Sequence, residues 1–195
     1  MIKNVIFDLG KVLVEFDFDD FYTALGYDPA KRTLDEANRP ILLFEAGKIS
    51  KAIFFEEIKE IYDFDLSLKK FEILWCSVFS EAKEMIELAR KISEKYNVFI
   101  LSNTDEIHFP YIWKNFPELH FFKENLMLSY KLNAVKPEKE IYQNAIEKFG
   151  LNPTECVFID DRPVNVNVAK EFGMRGIVHQ SFICTEKKIA KILTM

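Results

Sequence analysis

The 195-residue chain is 49% hydrophobic and carries a formal net charge of −5, apolar material enough for one substantial core with a modest insertion. Its lysines and arginines are scattered and no apolar run approaches the ~20 residues of a membrane span, so neither nucleic acid nor a membrane is an expected partner. Cys76, Cys156 and Cys184 are widely spaced with no CxxC pair, and no secretory pattern precedes the first strand, so reduced, buried cysteines and a cytoplasmic location are expected.

The first element is the apolar run Val5-Ile6-Phe7, which reads as a buried parallel strand ending on Asp8, with Gly10 allowing a sharp turn. Between about residues 16 and 81 the pattern is helical, with little sign of strands. Phe18, Phe21, Tyr22 and Leu25 share one helical face, broken by Gly26 and Asp28-Pro29. A second helix carries Ile41, Leu42 and Glu45 and ends near Gly47. Ser50 is an N-cap for a third with Phe54, Ile58, Ile61 and Tyr62, and a fourth carries Phe71, Leu74, Trp75 and Val78. The aromatic stripes read as the core of a small helical subdomain.

From Lys83 helices and strands alternate. Met85, Ile86, Ala89 and Ile92 mark a helix, followed by the strand Val98–Leu101 and the turn formers Ser102-Asn103-Thr104-Asp105. His108-Phe109-Pro110 and Phe116-Pro117 interrupt any long helix in the next stretch, and Leu126–Ser129 suits a short strand. A helix through Ile141, Ala145, Ile146 and Phe149 ends at Gly150. Cys156–Ile159 is a strand running into Asp160-Asp161; Pro163 opens a helix, Gly173 closes it, and Met174–Val178 is the last core strand. The order predicts an α/β fold, a doubly wound, Rossmann-like three-layer core on a parallel sheet, with helices inserted after the first strand.

In such a sheet the C-terminal strand ends share one edge, so Asp8, Ser102-Asn103, Lys136 and Asp160-Asp161 can converge there. Asp8 and Asp161 suit a hard divalent cation such as Mg²⁺, and Ser102 with the following amides suits phosphate oxygens. Lys136 offers positive charge to an anion, and one of the carboxylates can attack phosphorus. Taken singly, each has an ordinary reading: Asp160-Asp161 as a helix cap, Lys136 as a loop lysine, Ser102 as a turn residue. Their ordered occurrence at four successive sites is what carries weight.

These motifs resemble those of the haloacid-dehalogenase-like (HAD) phosphohydrolases. Phe7-Asp8-Leu9-Gly10-x-Val12-Leu13 resembles the first motif and Leu101-Ser102-Asn103-Thr104 the second. Val135-Lys136-Pro137-Glu138 resembles the third, and Phe158-Ile159-Asp160-Asp161-x-x-x-Asn165 the fourth. Glu45-x-Gly47-x-Ile49-Ser50 and the Phe-Asp-Leu-Gly start are most similar to the branch of small sugar-phosphate phosphatases, α-D-glucose-1-phosphate phosphatase among them. The resemblance implies a core of residues 1–15 and 82–195 and a helical cap of residues 16–81. It implies Asp8 as nucleophile and Mg²⁺ ligand, with the Gly10 carbonyl and Asp161 completing the ligand set. Asp160 would act behind them, Ser102, the Asn103 amide and Lys136 would hold the phosphoryl group, and Asn165 would support the acidic loop.

One position departs from the family pattern. Most phosphatases of the superfamily carry an aspartate two residues after the nucleophile as general acid and base, where this chain has Gly10. Such help is worth roughly 10²–10⁴-fold, so its loss slows the chemistry without abolishing it. Glu15 and Asp17 are replacements by position alone. The expected function is a Mg²⁺-dependent phosphatase acting on a small phosphorylated metabolite, a sugar phosphate, through an aspartyl-phosphate. The alternatives are a degenerate member that binds a phosphorylated ligand or a protein, a haloacid dehalogenase, and a phosphomutase.

Overall fold

The apolar runs around Val5, Val98 and Val157 become the three central strands of one parallel sheet. The structure is a computed structural model that describes residues 1–26 and 34–193. The chain enters through β1 (Asn4–Phe7) and turns tightly into the short β2 (Val14–Phe16). Four helices follow, α1 (Asp19–Ala24), α2 (Leu34–Glu45), α3 (Lys51–Tyr62) and α4 (Leu68–Cys76), before β3 (Phe79–Glu81) returns antiparallel to β2. Helix and strand then alternate through α5 (Lys83–Ser93), β4 (Asn97–Ser102), α6 (His108–Asn115), β5 (Leu126–Leu128) and α7 (Ser129–Leu132). The chain finishes with α8 (Lys139–Phe149), β6 (Cys156–Asp160), α9 (Pro163–Glu171), β7 (Arg175–Val178) and α10 (Phe182–Leu193).

The sheet order is β5-β4-β1-β6-β7, so β1 lies at the centre and β4 and β6 flank it. Alternation along β1 fixes the two faces. Val5 and Phe7 join the α5 residues Ile86 and Ala89 and the α10 residues Ile189 and Leu193 on one side. Ile6 joins Leu132 of α7, Tyr142 of α8 and Ala169 of α9 on the other. This is the three-layer α/β arrangement expected from the sequence.

The inserted helices bury their aromatic stripes against one another. Phe44 stacks on Phe54 with centroids 4.3 Å apart, and Phe71 stacks on Trp75 at 5.7 Å. Such pairs contribute about 0.5–1.5 kcal/mol each beyond their burial. Ile107, which belongs to the β4–α6 connection, sits in this cluster and ties the helical layer to the sheet domain. Ser50 caps α3 as expected, its hydroxyl accepting from the Ile53 amide at 3.4 Å.

Several local expectations change. Residues at both borders of the insertion form the β2–β3 pair, because strands of three residues are too short to show a period in sequence. Pro110 does not interrupt a helix: it lies in the first turn of α6, where no intrahelical amide is needed, and Phe116-Pro117 marks that helix's end. The C-terminal helix α10 was absent from the expected elements, although Thr185, Ile189 and Leu193 carry its buried i, i+4, i+8 stripe. Cys76 and Cys156 are buried and free, but Cys184 is exposed, on the outer side of that stripe. The Asp28-Pro29 break lies outside the described residues. Among the described residues no helix is long and apolar enough to cross a membrane.

Candidate active site

Register alone brings the chemistry together. Phe7 pairs with Ile100 on β4 and with Ile159 on β6, so Asp8, Leu101 and Asp160 lie at one level near the ends of their strands. Lys136, from the loop between α7 and α8, crosses that level. Its ammonium lies 2.7 Å from Asp8 Oδ1, 2.7 Å from Asp160 Oδ2 and 2.9 Å from the Leu101 carbonyl oxygen. Three donors meet three acceptors, which is what permits a lysine only 2% exposed.

The groups around Lys136 are held in turn. Asn103 clamps the lysine's own backbone: its Nδ2 donates to the Lys136 carbonyl at 3.0 Å and its Oδ1 accepts from the Lys136 amide at 2.7 Å. Asp160, fully buried, accepts from the Arg162 amide at 2.8 Å and from Asn165 Nδ2 at 2.9 and 3.0 Å, besides Lys136. Asp8 Oδ1 also accepts from the Leu9 amide at 2.7 Å, and no hydrogen bond from the described residues reaches its Oδ2. Ser102 is buried beside them, its hydroxyl donating to the Asn103 carbonyl at 3.1 Å.

The electrostatics favour a cation beside the carboxylates. Burial raises the Asp8 carboxyl to about 8, against the pull of Lys136 and with the push of Asp160. Asp161 is likewise raised, by burial and then by Asp160. Burial pulls the Lys136 ammonium down, but Asp8 and Asp160 outweigh it and hold it above the usual lysine value. Ligand oxygens of Asp8, Asp160 and Asp161 all lie within 4.8 Å of one another, with Lys136 as their shared cation. Asn165 Oδ1 is buried beside them with no donor among the described residues. An all-oxygen set with surplus negative charge and a spare acceptor fits a hydrated Mg²⁺. Asp160, whose oxygens already take four hydrogen bonds, is the least available of the three as a direct ligand.

A cavity of about 290 Å³ opens at this edge, bordered by Gly10, Ser102, Asn103 and Thr104 from the sheet domain. Its opposite wall is aromatic: Phe16, Phe18, Tyr22, Trp75 and Phe79. The wall lies close over Gly10: a Cβ there would stand 2.8 Å from Cε1 of Phe16. The ring fills the space into which a side chain two residues past Asp8 would extend. Neither positional replacement for that side chain enters the cavity. Glu15 is exposed and pairs with Lys11 at 3.3 Å, and Asp17 is exposed and accepts from the Asp19 amide at 2.9 Å.

Every other site residue expected from the sequence is gathered at this edge: Asp8, Gly10, Ser102, Asn103, Lys136, Asp160, Asp161 and Asn165. Two groups were missed. His108 borders the cavity and spans the layers, one ring nitrogen 2.9 Å from Asp105 Oδ2 and the other 2.9 Å from the Trp75 carbonyl of α4. Glu45, on the last turn of α2, is, among the described residues, the carboxyl side chain that lines the cavity from the inserted helices. Its signal was present in Ile41 and Glu45, four residues apart on one helical face.

Comparison with known proteins agrees with this geometry. A D-ribitol-5-phosphate phosphatase of Bacteroides thetaiotaomicron is 30% identical over 186 residues, covering 89% of each chain. A HAD family enzyme of the same organism, solved as an aspartate-to-alanine variant with magnesium and inorganic phosphate, superposes with a TM-score of 0.83 at 31% identity. That match covers 92% of this chain and 95% of the other. A HAD-like family hydrolase of Porphyromonas gingivalis gives a TM-score of 0.82 at 25% identity over 100% of this chain and 99% of its own. The haloacid dehalogenase-like hydrolase family pattern runs through residues 2–173, and the chain belongs to that family.

Proposed function

We propose that the chain is a Mg²⁺-dependent phosphatase that releases inorganic phosphate from a small phosphorylated metabolite, a sugar or polyol phosphate, by way of an aspartyl-phosphate. The observation that carries this reading is the Asp8–Lys136–Asp160 cluster at the strand ends, with Asp161 adjoining it. Asp8, Asp161 and the Gly10 carbonyl would hold the Mg²⁺, which supplies charge neutralisation at the phosphoryl oxygens. The magnesium and phosphate bound by the HAD family relative and the substrate named for the ribitol-5-phosphate phosphatase support the same assignment.

The chain's own residues divide the work. Leu9 N–H and Lys136 fix Asp8 Oδ1, leaving Oδ2 as the attacking atom. The Ser102 hydroxyl and Asn103 amide hold the phosphoryl oxygens, and the side chain of Asn103 keeps Lys136 in place. Asp160 and Asn165 stand behind, orienting Lys136 and the acidic loop. Oδ2 bonds to phosphorus as the ester P–O bond breaks; water then attacks the aspartyl-phosphate, returning the Asp8 carboxylate and freeing phosphate. Positioning and charge are the main requirements of such a transfer. Residues 16–81 serve as a cap on a core of residues 1–15 and 82–195, excluding water from the cavity. Three clustered carboxylates disfavour the dehalogenase reading, whose attack on carbon needs no cation. A cytoplasmic location accords with the free cysteines.

The test is turnover of p-nitrophenyl phosphate and a panel of sugar and polyol phosphates, with Mg²⁺ and with a chelator. Turnover with Mg²⁺ alone, reduced by roughly 10⁴-fold or more in Asp8→Asn, is the expected result for loss of a nucleophile. Phosphate binding without turnover across the panel would replace the phosphatase by the ligand-binding reading.

A further inference from the structure

The aspartate that serves most relatives as general acid and base is missing here, and a side chain on Gly10 would require the Phe16 ring to shift. A sugar or polyol ester leaves as an alkoxide unless a proton reaches it, so the need for a donor persists. Among the described residues that line the cavity with Gly10 and Ser102, the carboxyl is that of Glu45. We propose that Glu45 is the general acid and base of this enzyme, acting from the end of α2 in place of the absent aspartate.

The placement of Glu45 is built. Ile41 and Glu45 face the cavity from one side of α2, while Phe44 turns into the aromatic core beneath. Beyond Glu45 the helix closes with the Gly47 amide donating to the Phe44 carbonyl at 2.9 Å and the Lys48 amide to the Leu43 carbonyl at 2.8 Å. Gly47 adopts φ of +65°, and a Cβ there would overlap the Tyr130 carbonyl oxygen. The end of α2 is therefore seated directly on α7 of the core, which fixes the helix turn that carries Glu45.

The surroundings suit a group that must both give and take a proton near neutrality. Burial, followed by the Asp105 carboxylate, pushes the Glu45 carboxyl up to about 7, while His108, Lys136 and Arg162 pull it the other way. The carbonyl end of α2 adds a further upward push. A carboxyl poised at that level is close to the optimum for such catalysis at neutral pH.

The proton balance closes over two steps, and the assignment rests on the phosphatase reading above. In the first, Asp8 bonds to phosphorus, the ester P–O bond breaks, and the departing oxygen takes the Glu45 proton to leave as an alcohol. In the second, the Glu45 carboxylate takes a proton from water as the water oxygen bonds to phosphorus. The P–O bond to Asp8 breaks and its electron pair returns to the carboxylate, leaving phosphate and a protonated Glu45.

The experiment is rapid-mix kinetics of Glu45→Gln with Mg²⁺ on two esters, p-nitrophenyl phosphate, whose leaving group needs no proton, and an alkyl phosphate turned over by the wild type. The expected result with p-nitrophenyl phosphate is a burst of about one phenolate per active site at the wild-type rate, then steady turnover slowed roughly 10²–10⁴-fold as the aspartyl-phosphate accumulates. With the alkyl ester the first step itself slows by that factor and no burst appears. Glu15→Gln, at an exposed position, leaves both esters unchanged. Unaltered kinetics in Glu45→Gln, or a first step slowed equally for the two esters, would overturn the assignment. Loss of wild-type turnover would instead sink the phosphatase reading, so the two failures separate.

Discussion

The two walls of the cavity are built on opposite principles. On the sheet side, strand register sets Asp8, Leu101 and Asp160 level, and Lys136 satisfies all three within 2.9 Å. On the helical side, the wall is made of aromatic rings that pack on one another, with Glu45 among them and His108 beside them at the cavity. The first wall has little freedom, because Lys136 and Asp160 already have all their hydrogen-bonding groups engaged. The second can exchange one apolar shape for another without stranding a buried charge. On the proposed reading, the part of the reaction shared by every phosphomonoester sits on the rigid wall, and the part that meets the varying alcohol sits on the adaptable one.

The rigid wall should therefore fail hardest. Lys136→Met keeps the approximate volume but leaves Asp8 and Asp160 facing each other without their cation. Removing one partner of a buried ionic group costs about 3–5 kcal/mol. The expected outcome is a loss of that size in denaturant unfolding without added metal, greater at pH 8 than at pH 5 because protonation of Asp8 relieves the pair at the lower pH. An equal loss at both pH values would mean that Lys136 acts by packing alone.

The same contrast governs what the sequence disclosed. Asp8, Ser102 and Asp160 follow directly from apolar runs, so strand identification placed them, and Lys136 stood out before Pro137. All of these depend on one coordinate, the end of a strand. Glu45 depends on which side of an amphipathic helix faces a cavity built by other helices, and that is decided by the packing of Phe44 on Phe54. The side-chain clamp of Asn103 on Lys136 joins residues 33 positions apart and leaves no local pattern. Glu15 and Asp17 illustrate the reverse error: closeness to Gly10 in sequence does not bring them into the cavity, because Glu15 on β2 and Asp17 just beyond it both face solvent.

A smaller and reversible effect should come from the surplus charge on the rigid wall. Asp8 is raised in the folded protein from the ordinary carboxylate range to about 8. A group raised on folding contributes stability that is complete below its unfolded value and lost as pH climbs through its folded value. The metal-free protein should therefore lose stability as pH rises from about 4 to about 8 on account of Asp8. Mg²⁺ favours the ionised carboxylates, so its stabilisation should grow over the same interval, reaching about 2.7 kcal/mol at a hundredfold excess over Kd. Melting curves with and without Mg²⁺ across that range provide the check, and a pH-independent Mg²⁺ effect would count against a carboxylate-bound cation.

The adaptable wall has one rigid point, and a mild substitution there tests whether the two walls communicate. Gly47 joins α2 to the core in a left-handed conformation with the Tyr130 carbonyl where a side chain would go. Gly150 has a similar φ of +60° at the end of α8 but nothing within 4 Å of its missing Cβ. Alanine at either position meets the backbone cost of about 1–2 kcal/mol. Only at Gly47 does it also push on the opposite domain, and the end of α2 must move to accommodate it. Gly47→Ala should therefore lower the melting temperature more than Gly150→Ala and, by displacing Glu45, slow an alkyl phosphate more than the first step with p-nitrophenyl phosphate. Equal destabilisation with unchanged kinetics in both variants would show that the seat of α2 on Tyr130 is a packing contact and that Glu45 finds its position without it.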